Sequence, residues 1–380
     1  MTNLAICGLL LASLIPSDCT RTSVGLIPIN DLGTGAYLGQ YTGGLYLNGS
    51  NFMPAGHARI GRGRAVSVRP LDASGNPHPE GRIVLLSIGM SNTAQEFSQF
   101  MTVAQGDSEL WHNRLTILNG AAGGQTAATW DSPDDANYNR VRDQILTPRG
   151  LSELQVQALW VKVANAGPTV RLPNSNADAF NLLQQMGSIA RALKVRYPNA
   201  RVVFFSSRIY AGYADTTLNP EPYAYESGFA VKWLIEAQMR QMQSGQIDPT
   251  AGDLNHNTVA PWIAWGPYLW ADGLTPRSDG LTYECLDLNN DGTHPSPQGR
   301  QKVAQLLMDF LKSSPHSSSW FTVYPPGDVN RDRTVDDTDL AMVLEAFGEN
   351  CRGCPSDLNG DGTVDDIDLS ETLAFFGLRR

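Results

Sequence analysis

Ile83-Val-Leu-Leu-Ser-Ile88-Gly89-Met90-Ser91-Asn92 decides the fold. Its first six residues carry no charge and do not alternate, so they describe a strand buried on both faces rather than one with a wet side. Gly89 breaks the run, and Ser91 falls in the turn that leaves it. The pattern returns three times. Leu115-Thr-Ile-Leu118 ends at Asn119-Gly120, Ala158-Leu-Trp-Val-Lys-Val-Ala164 ends at Asn165, and Val202-Val-Phe-Phe205 ends at Ser206-Ser207. Helical spacing fills the intervals, most clearly from Ala179 to Tyr197, with apolar residues at Leu182, Leu183, Met186, Ile189, Leu193 and Val195. Apolar strands alternating with helices predict an α/β fold whose parallel sheet is covered on both faces, in three layers. Sites in such a sheet lie at the carboxyl ends of its strands.

Four polar segments fall there or beside it. Gly89-Met-Ser91-Asn92 follows the first strand, Asn119-Gly-Ala-Ala-Gly-Gly124-Gln-Thr the second and Asn165 the third. Asp291-Gly-Thr-His294-Pro295 precedes a last helix that Ser296 caps and Pro297 opens. Serine, histidine and aspartate in these places fit nucleophilic catalysis: Ser91 attacks, His294 takes its proton and Asp291 orients the imidazole. An oxyanion needs donors aimed at it; the backbone N–H groups of Ser91 and Gly124 and the side-chain amide of Asn165 are the candidates. Asp287-Leu-Asn289-Asn-Asp291-Gly292 also mimics half a calcium loop, but its twelfth position is Gln298, which is not acidic, so the catalytic reading is preferred.

Over residues 81–313 these blocks resemble the SGNH (GDSL-like) hydrolase superfamily, named for a serine, a glycine, an asparagine and a histidine, roles that Ser91, Gly124, Asn165 and His294 fill. The resemblance implies a three-layer, flavodoxin-like sheet and ester hydrolysis. This chain departs from the pattern in having Gly-Met-Ser-Asn without an Asp before the serine, and Val163-Ala-Asn165-Ala without the usual Gly and Asp around the asparagine. Ser207-Arg208-Ile-Tyr210, Glu221-Pro-Tyr-Ala-Tyr-Glu226 and Trp265-Gly-Pro-Tyr-Leu-Trp270-Ala-Asp272 either line a substrate cleft or pack the sheet edge.

The charge is uneven. Of a net −10, residues Gly327 to Arg380 carry 13 acidic and 5 basic side chains, which leaves the other 326 residues near −2. No basic patch points to nucleic acid. Asp328-Val-Asn330-Arg-Asp332-Arg-Thr334-Val-Asp336-Asp-Thr-Asp339 sets oxygen side chains at positions 1, 3, 5, 9 and 12, and Asp357-Leu-Asn359-Gly-Asp361-Gly-Thr363-Val-Asp365-Asp-Ile-Asp368 repeats it 29 residues later. That spacing wraps hard oxygen donors around Ca2+, with Thr334 and Thr363 giving backbone carbonyls. Each loop runs into an apolar helix that ends at Phe-Gly. The duplicated unit resembles the type I dockerin module, with Arg333 replacing one loop glycine. The resemblance implies a small all-α, EF-hand-like domain and a cohesin-type partner module on a scaffold or cell-surface protein.

Residues 1–20 are a signal-peptide candidate built on the apolar run Leu4 to Ile15, which is too short to span a bilayer, and no other run suggests a membrane span in the mature chain. Residues 21–80 are a loop-and-strand extension, 81–313 the catalytic domain, 314–326 a Ser- and Pro-rich linker and 327–378 the acidic module. The five cysteines form no disulfide framework for the large domain; Cys351 and Cys354 suit a local disulfide or two free thiols. The expected function is an exported, extracellular, cell-surface or periplasmic serine esterase that deacylates carbohydrate and is anchored through its dockerin. The alternative is a catalytically inactive carbohydrate-binding protein of the same fold. A glycoside hydrolase lacks a carboxylate pair here. The linker implies separable domains, with turnover surviving in a chain that ends near Ser314.

Overall fold

The computed structural model describes residues 18–351 and 353–380, so the apolar run read as a signal core, and Cys7, lie outside the described residues. Five parallel strands form the central sheet: β1 (Ile83–Gly89), β2 (Leu115–Asn119), β3 (Val156–Lys162), β4 (Val202–Phe205) and β5 (Trp262–Trp265), in the order β2-β1-β3-β4-β5. This is a doubly wound order, whose connections reverse direction between β1 and β3. Every residue of β1, β3, β4 and β5 is buried, as the unalternating runs require.

The main helices are α1 (Ala55–Val66), α2 (Ser91–Gln105), α3 (Asp178–Arg196), α4 (Tyr223–Ser244) and α5 (Pro297–Ser313). α2 packs on α5 and α3 on α4, one pair on each face of the sheet, as right-handed crossovers to either side of the reversal dictate. Ser296 caps α5 as its sequence predicts, accepting from Gly299 N at 3.3 Å. Among the described residues no helix is long and apolar enough to cross a membrane.

Three sequence expectations fail. Residues 21–80 are no mere extension: they include α1 and a wrap that closes on α4, where buried Lys232 donates to the carbonyls of Gly43, Gly44 and Tyr46 at 2.9, 3.0 and 2.7 Å. The large domain also carries a disulfide, Cys19–Cys285, beside the local Cys351–Cys354 bridge. Residues 314–326 are not a flexible linker. His316 lies against the Trp262 ring with its Nε2 3.0 Å from Ala58 O, and a short helix, α6 (Ser318–Phe321), buries Trp320 and Phe321 completely. Backbone bonds from Trp111 N to Phe321 O and from Val323 N to Glu109 O fasten this segment to the domain. Serine and proline mark a flexible stretch only where the apolar residues among them find no groove. Here Trp320 and Phe321 find one, so a chain cut at Ser314 loses part of the core.

The acidic C-terminal unit holds α7 (Asp337–Glu345) and α8 (Asp366–Ala374), capped by Asp336 and Asp365. Its core is small: Val329, Val343 and Val364. The two halves cross symmetrically. Val335 of the first loop pairs with Gly377 and Leu378 beyond α8, while Val364 of the second pairs with Gly348 and Glu349 beyond α7.

Candidate functional site

Ser91 opens α2, its backbone preceded by extended Met90. The turn is tight. A side chain on Gly89 would place a Cβ 2.3 Å from Lys162 O and 2.5 Å from Thr93 Oγ1, so only glycine lets the chain leave β1 against the end of β3. Ser91 Oγ lies 2.7 Å from His294 Nε2, and His294 Nδ1 lies 2.5 Å from Asp291 Oδ2, so the three residues are linked in series. Asp291 Oδ1 accepts from the backbone N–H groups of Thr293 and His294 at 3.0 and 2.9 Å. Burial pushes the Asp291 carboxyl up, but the His294 ring and these two amides outweigh it and hold the group below its ordinary range. A carboxylate kept ionised beside Nδ1 fixes the imidazole with its proton there and leaves Nε2 free to accept from the serine.

The loop that carries His294 is tied from several sides. Asn92 donates to Thr293 O at 2.8 Å, which joins the helix of Ser91 to the loop of His294 directly. Thr216 and Thr293 share a hydroxyl bond of 2.7 Å. Gly292 has φ +60, and a Cβ there would sit 1.9 Å from Tyr213 O. Asp287 is buried and paired with Lys302 at 2.5 Å, while Asp291 is bound to His294. Asn92, Thr216 and Tyr213 carry no motif; only adjacency to Ser91 could have pointed to the first.

The oxyanion candidates fare unequally. Ser91 N is the first amide of α2 and has no helical acceptor. The loop holding Gly124 is laced between the Gly89–Ser91 turn and the third strand, with Ala122 N on Gly89 O and Ala127 N on Ala164 O, both at 3.1 Å; Gly124 itself is exposed with φ +74. Asn165 departs from expectation. Its amide donates to Asp178 O at 2.8 Å, at the start of α3, and among the described residues it makes no hydrogen bond to Ser91 or His294. Its Oδ1 is buried without a partner, as is Oδ1 of Asn219, and both residues line a cavity of about 10 Å³. The aromatic clusters resolve toward packing: Tyr210, Tyr225, Trp265, Tyr268 and Trp270 are all buried. Asp272 clamps the N-terminal segment, accepting from Ser23 Oγ, Val24 N and Gly25 N. Arg208 is buried beyond β4 with Nε and Nη2 unpartnered.

Glu226 also lines that small cavity, accepting from Tyr37 OH and Leu172 N. Burial, only partly offset by those donors, pushes its carboxyl up to about 7. The folded state therefore holds a proton that the unfolded chain has released above its ordinary value near 4.5. More protons bound in the folded state means stability that is full at low pH and declines as pH rises toward 7. Glu226→Gln should flatten that decline, giving a higher melting temperature than the parent at pH 8 and no gain at pH 4.5; equal gains at both would show that burial of the charge is not the cause.

In the acidic unit both loops take left-handed turns at their fourth and sixth positions, through Arg331 (φ 62) and Arg333 (φ 76) in the first and Gly360 (φ 72) and Gly362 (φ 96) in the second. Arginine there costs on the order of 1 kcal/mol relative to glycine. Asp328, Asp357 and Asp368 are pushed up by burial and by neighbouring carboxylates. Asp357 Oδ1 is buried and unpartnered, which suits a hard cation. In this conformation no three His, Cys, Asp or Glu side chains among the described residues converge closely enough to hold an ion. The first-loop donors Asp328, Asn330, Asp332, Asp336 and Asp339 and their second-loop counterparts otherwise serve as acceptors for loop amides. Asp339, for example, takes Val329 N, Asn330 N and Asp336 N.

No family model and no curated protein matches the chain. Solved structures give distant likenesses. A protein described as a GDSL-like lipase from Parabacteroides merdae shares 11% identity over 64% of this chain and 97% of its own, with a TM-score of 0.32. An acylhydrolase from Bacteroides fragilis shares 12% over 67% and 94%, at 0.33. A salicylyl-acyltransferase of a tetracycline pathway shares 14% over 62% and 55%, at 0.31.

Proposed function

We propose that this protein is a serine esterase of SGNH type that removes acyl groups from carbohydrate. The observation that carries the reading is the unbroken series Ser91–His294–Asp291, with donor and acceptor distances of 2.7 and 2.5 Å at the carboxyl edge of a doubly wound sheet. His294 takes the serine proton as Ser91 Oγ attacks the ester carbonyl. Asp291 holds the imidazolium, and Ser91 N and Gly124 N face the oxyanion. His294 returns the proton to the departing alcohol, and water then releases the acid by the same route.

Purified protein should turn over an aryl acetate and release acetate from acetylated oligosaccharides. Turnover of the first without the second would correct the substrate class, and turnover of neither would favour the second reading, a non-catalytic carbohydrate-binding protein. The tie between Asn165 and Asp178 is the observation on that side.

The acidic unit belongs to the same proposal as a dockerin-type module. Asp328, Asn330, Asp332, Thr334, Asp336 and Asp339, with Asp357, Asn359, Asp361, Thr363, Asp365 and Asp368, would hold two calcium ions, which supply the positive charge these loops lack. Leu344 and Leu373, and Phe347 and Phe376, are exposed in symmetric pairs at 53, 53, 48 and 48%, an apolar face suited to a cohesin-type partner. Two disulfides accord with export to the cell surface, the periplasm or beyond.

A further inference from the structure

The acidic module does not hang from the large domain; it is fastened to it at two arginines. Arg62, on α1, forms a buried ion pair with Glu371 of α8 and donates to Pro315 O at 2.6 Å. Arg380, just beyond α8, reaches the other way. Its guanidinium sits 3.9 Å from the Trp111 ring and donates to Ser319 O, Thr322 O and Tyr324 O at 2.7, 3.3 and 3.2 Å. Tyr324 is in turn covered by Arg331 of the first loop, and Gly360 of the second loop packs against Pro315. A cleft of about 550 Å³ remains between the two bodies.

Arg380 is placed by the first loop. Its backbone N–H bonds to Arg333 O, and the chain leading to it is paired with Val335 through Gly377 N and Leu378 O. Arg333 and Val335 flank Thr334, the backbone ligand of the proposed ion. Whatever stiffens that loop therefore stiffens the arm that enters the large domain.

We infer that the two arginines form a latch that makes the large domain and the acidic module one folding unit, and that a cation in the first loop is felt by the large domain through Arg380. The second half rests on the calcium reading; the first does not. The test uses the intact chain and the variant Arg62→Ala/Arg380→Ala, with Glu371→Gln as a milder single change, in scanning calorimetry with chelator and with calcium. The intact chain should melt in one transition under chelator, and that transition should rise by several degrees in calcium. In the double variant it should split, and the large-domain step should no longer respond to calcium. Two transitions in the intact chain, or a calcium shift that survives in the double variant, would overturn the latch. A calorimetric titration of calcium separates the premises: no heat removes the ions from the loops, while a single transition under chelator still supports the latch.

Discussion

Replacing Ser91 with alanine should cut kcat on an aryl acetate about 10⁴-fold or more, because loss of a triad member removes the covalent route and leaves only what the oxyanion donors supply. KM should change little, since the hydroxyl binds His294 and no element of the fold. No side chain caps the start of α2, so alanine at position 91 removes no capping bond and the melting temperature should hold. The residual rate should lose the dependence on His294 that the parent shows: Ser91→Ala/His294→Ala should be no slower than Ser91→Ala alone, because residues that act as a unit are not additive. A purified Ser91→Ala protein that keeps its rate would remove this serine from the mechanism.

The second large effect is on stability, behind the same turn. Lys162 and Glu96 are both fully buried and paired at 2.5 Å, which pins α2 to the end of β3. Burial, with the nearby charge of Arg208, lowers Lys162 to about 8 against the opposing pull of Glu96. Lys162→Met should cost about 3–5 kcal/mol in a urea titration, since it strands Glu96 without its partner. Lys162→Met/Glu96→Leu should recover most of that loss, because a well-packed apolar pair avoids the desolvation cost of both ions. If the double variant is as unstable as the single one, the pair contributes shape and not charge.

The sheet was legible because burial on both faces writes itself as unbroken apolar runs, and β1 to β4 each carry one. β5 was not: Trp-Ile-Ala-Trp is only four residues long and merges with an aromatic stretch that reads equally as a cleft wall. α4 was missed for the opposite reason. It is buried on nearly every side, so its 22 residues show no polar stripe to give a helical period. Ser91 was legible from its place at a strand end, and Asp291 and His294 from the Asp-Gly-Thr-His-Pro block before the last helix. Asn165 was placed at the correct strand end, but its rotamer is set by Asp178, thirteen residues on, and no local pattern encodes that. The docking of the acidic module was hidden because nothing local sets the latch arginines apart from the basic residues beside them, Arg59 and Arg64 next to Arg62 and Arg379 next to Arg380. Their partners lie 309 residues from Arg62 and 269 from Arg380.

The Cys19–Cys285 bond has a mechanical meaning. It closes a covalent ring, 266 residues from one cysteine to the other, that contains all five strands and Ser91, while Asp291 and His294 lie just outside it. The covalent path from residue 19 to the acidic module crosses the ring at the disulfide and bypasses the strands. It runs instead through residues 286–296 into α5. Once the contacts at Arg62 and Arg380 have let go, a pull along that path reaches the loop of His294 before any strand, and would part His294 from Ser91 while the sheet is still folded.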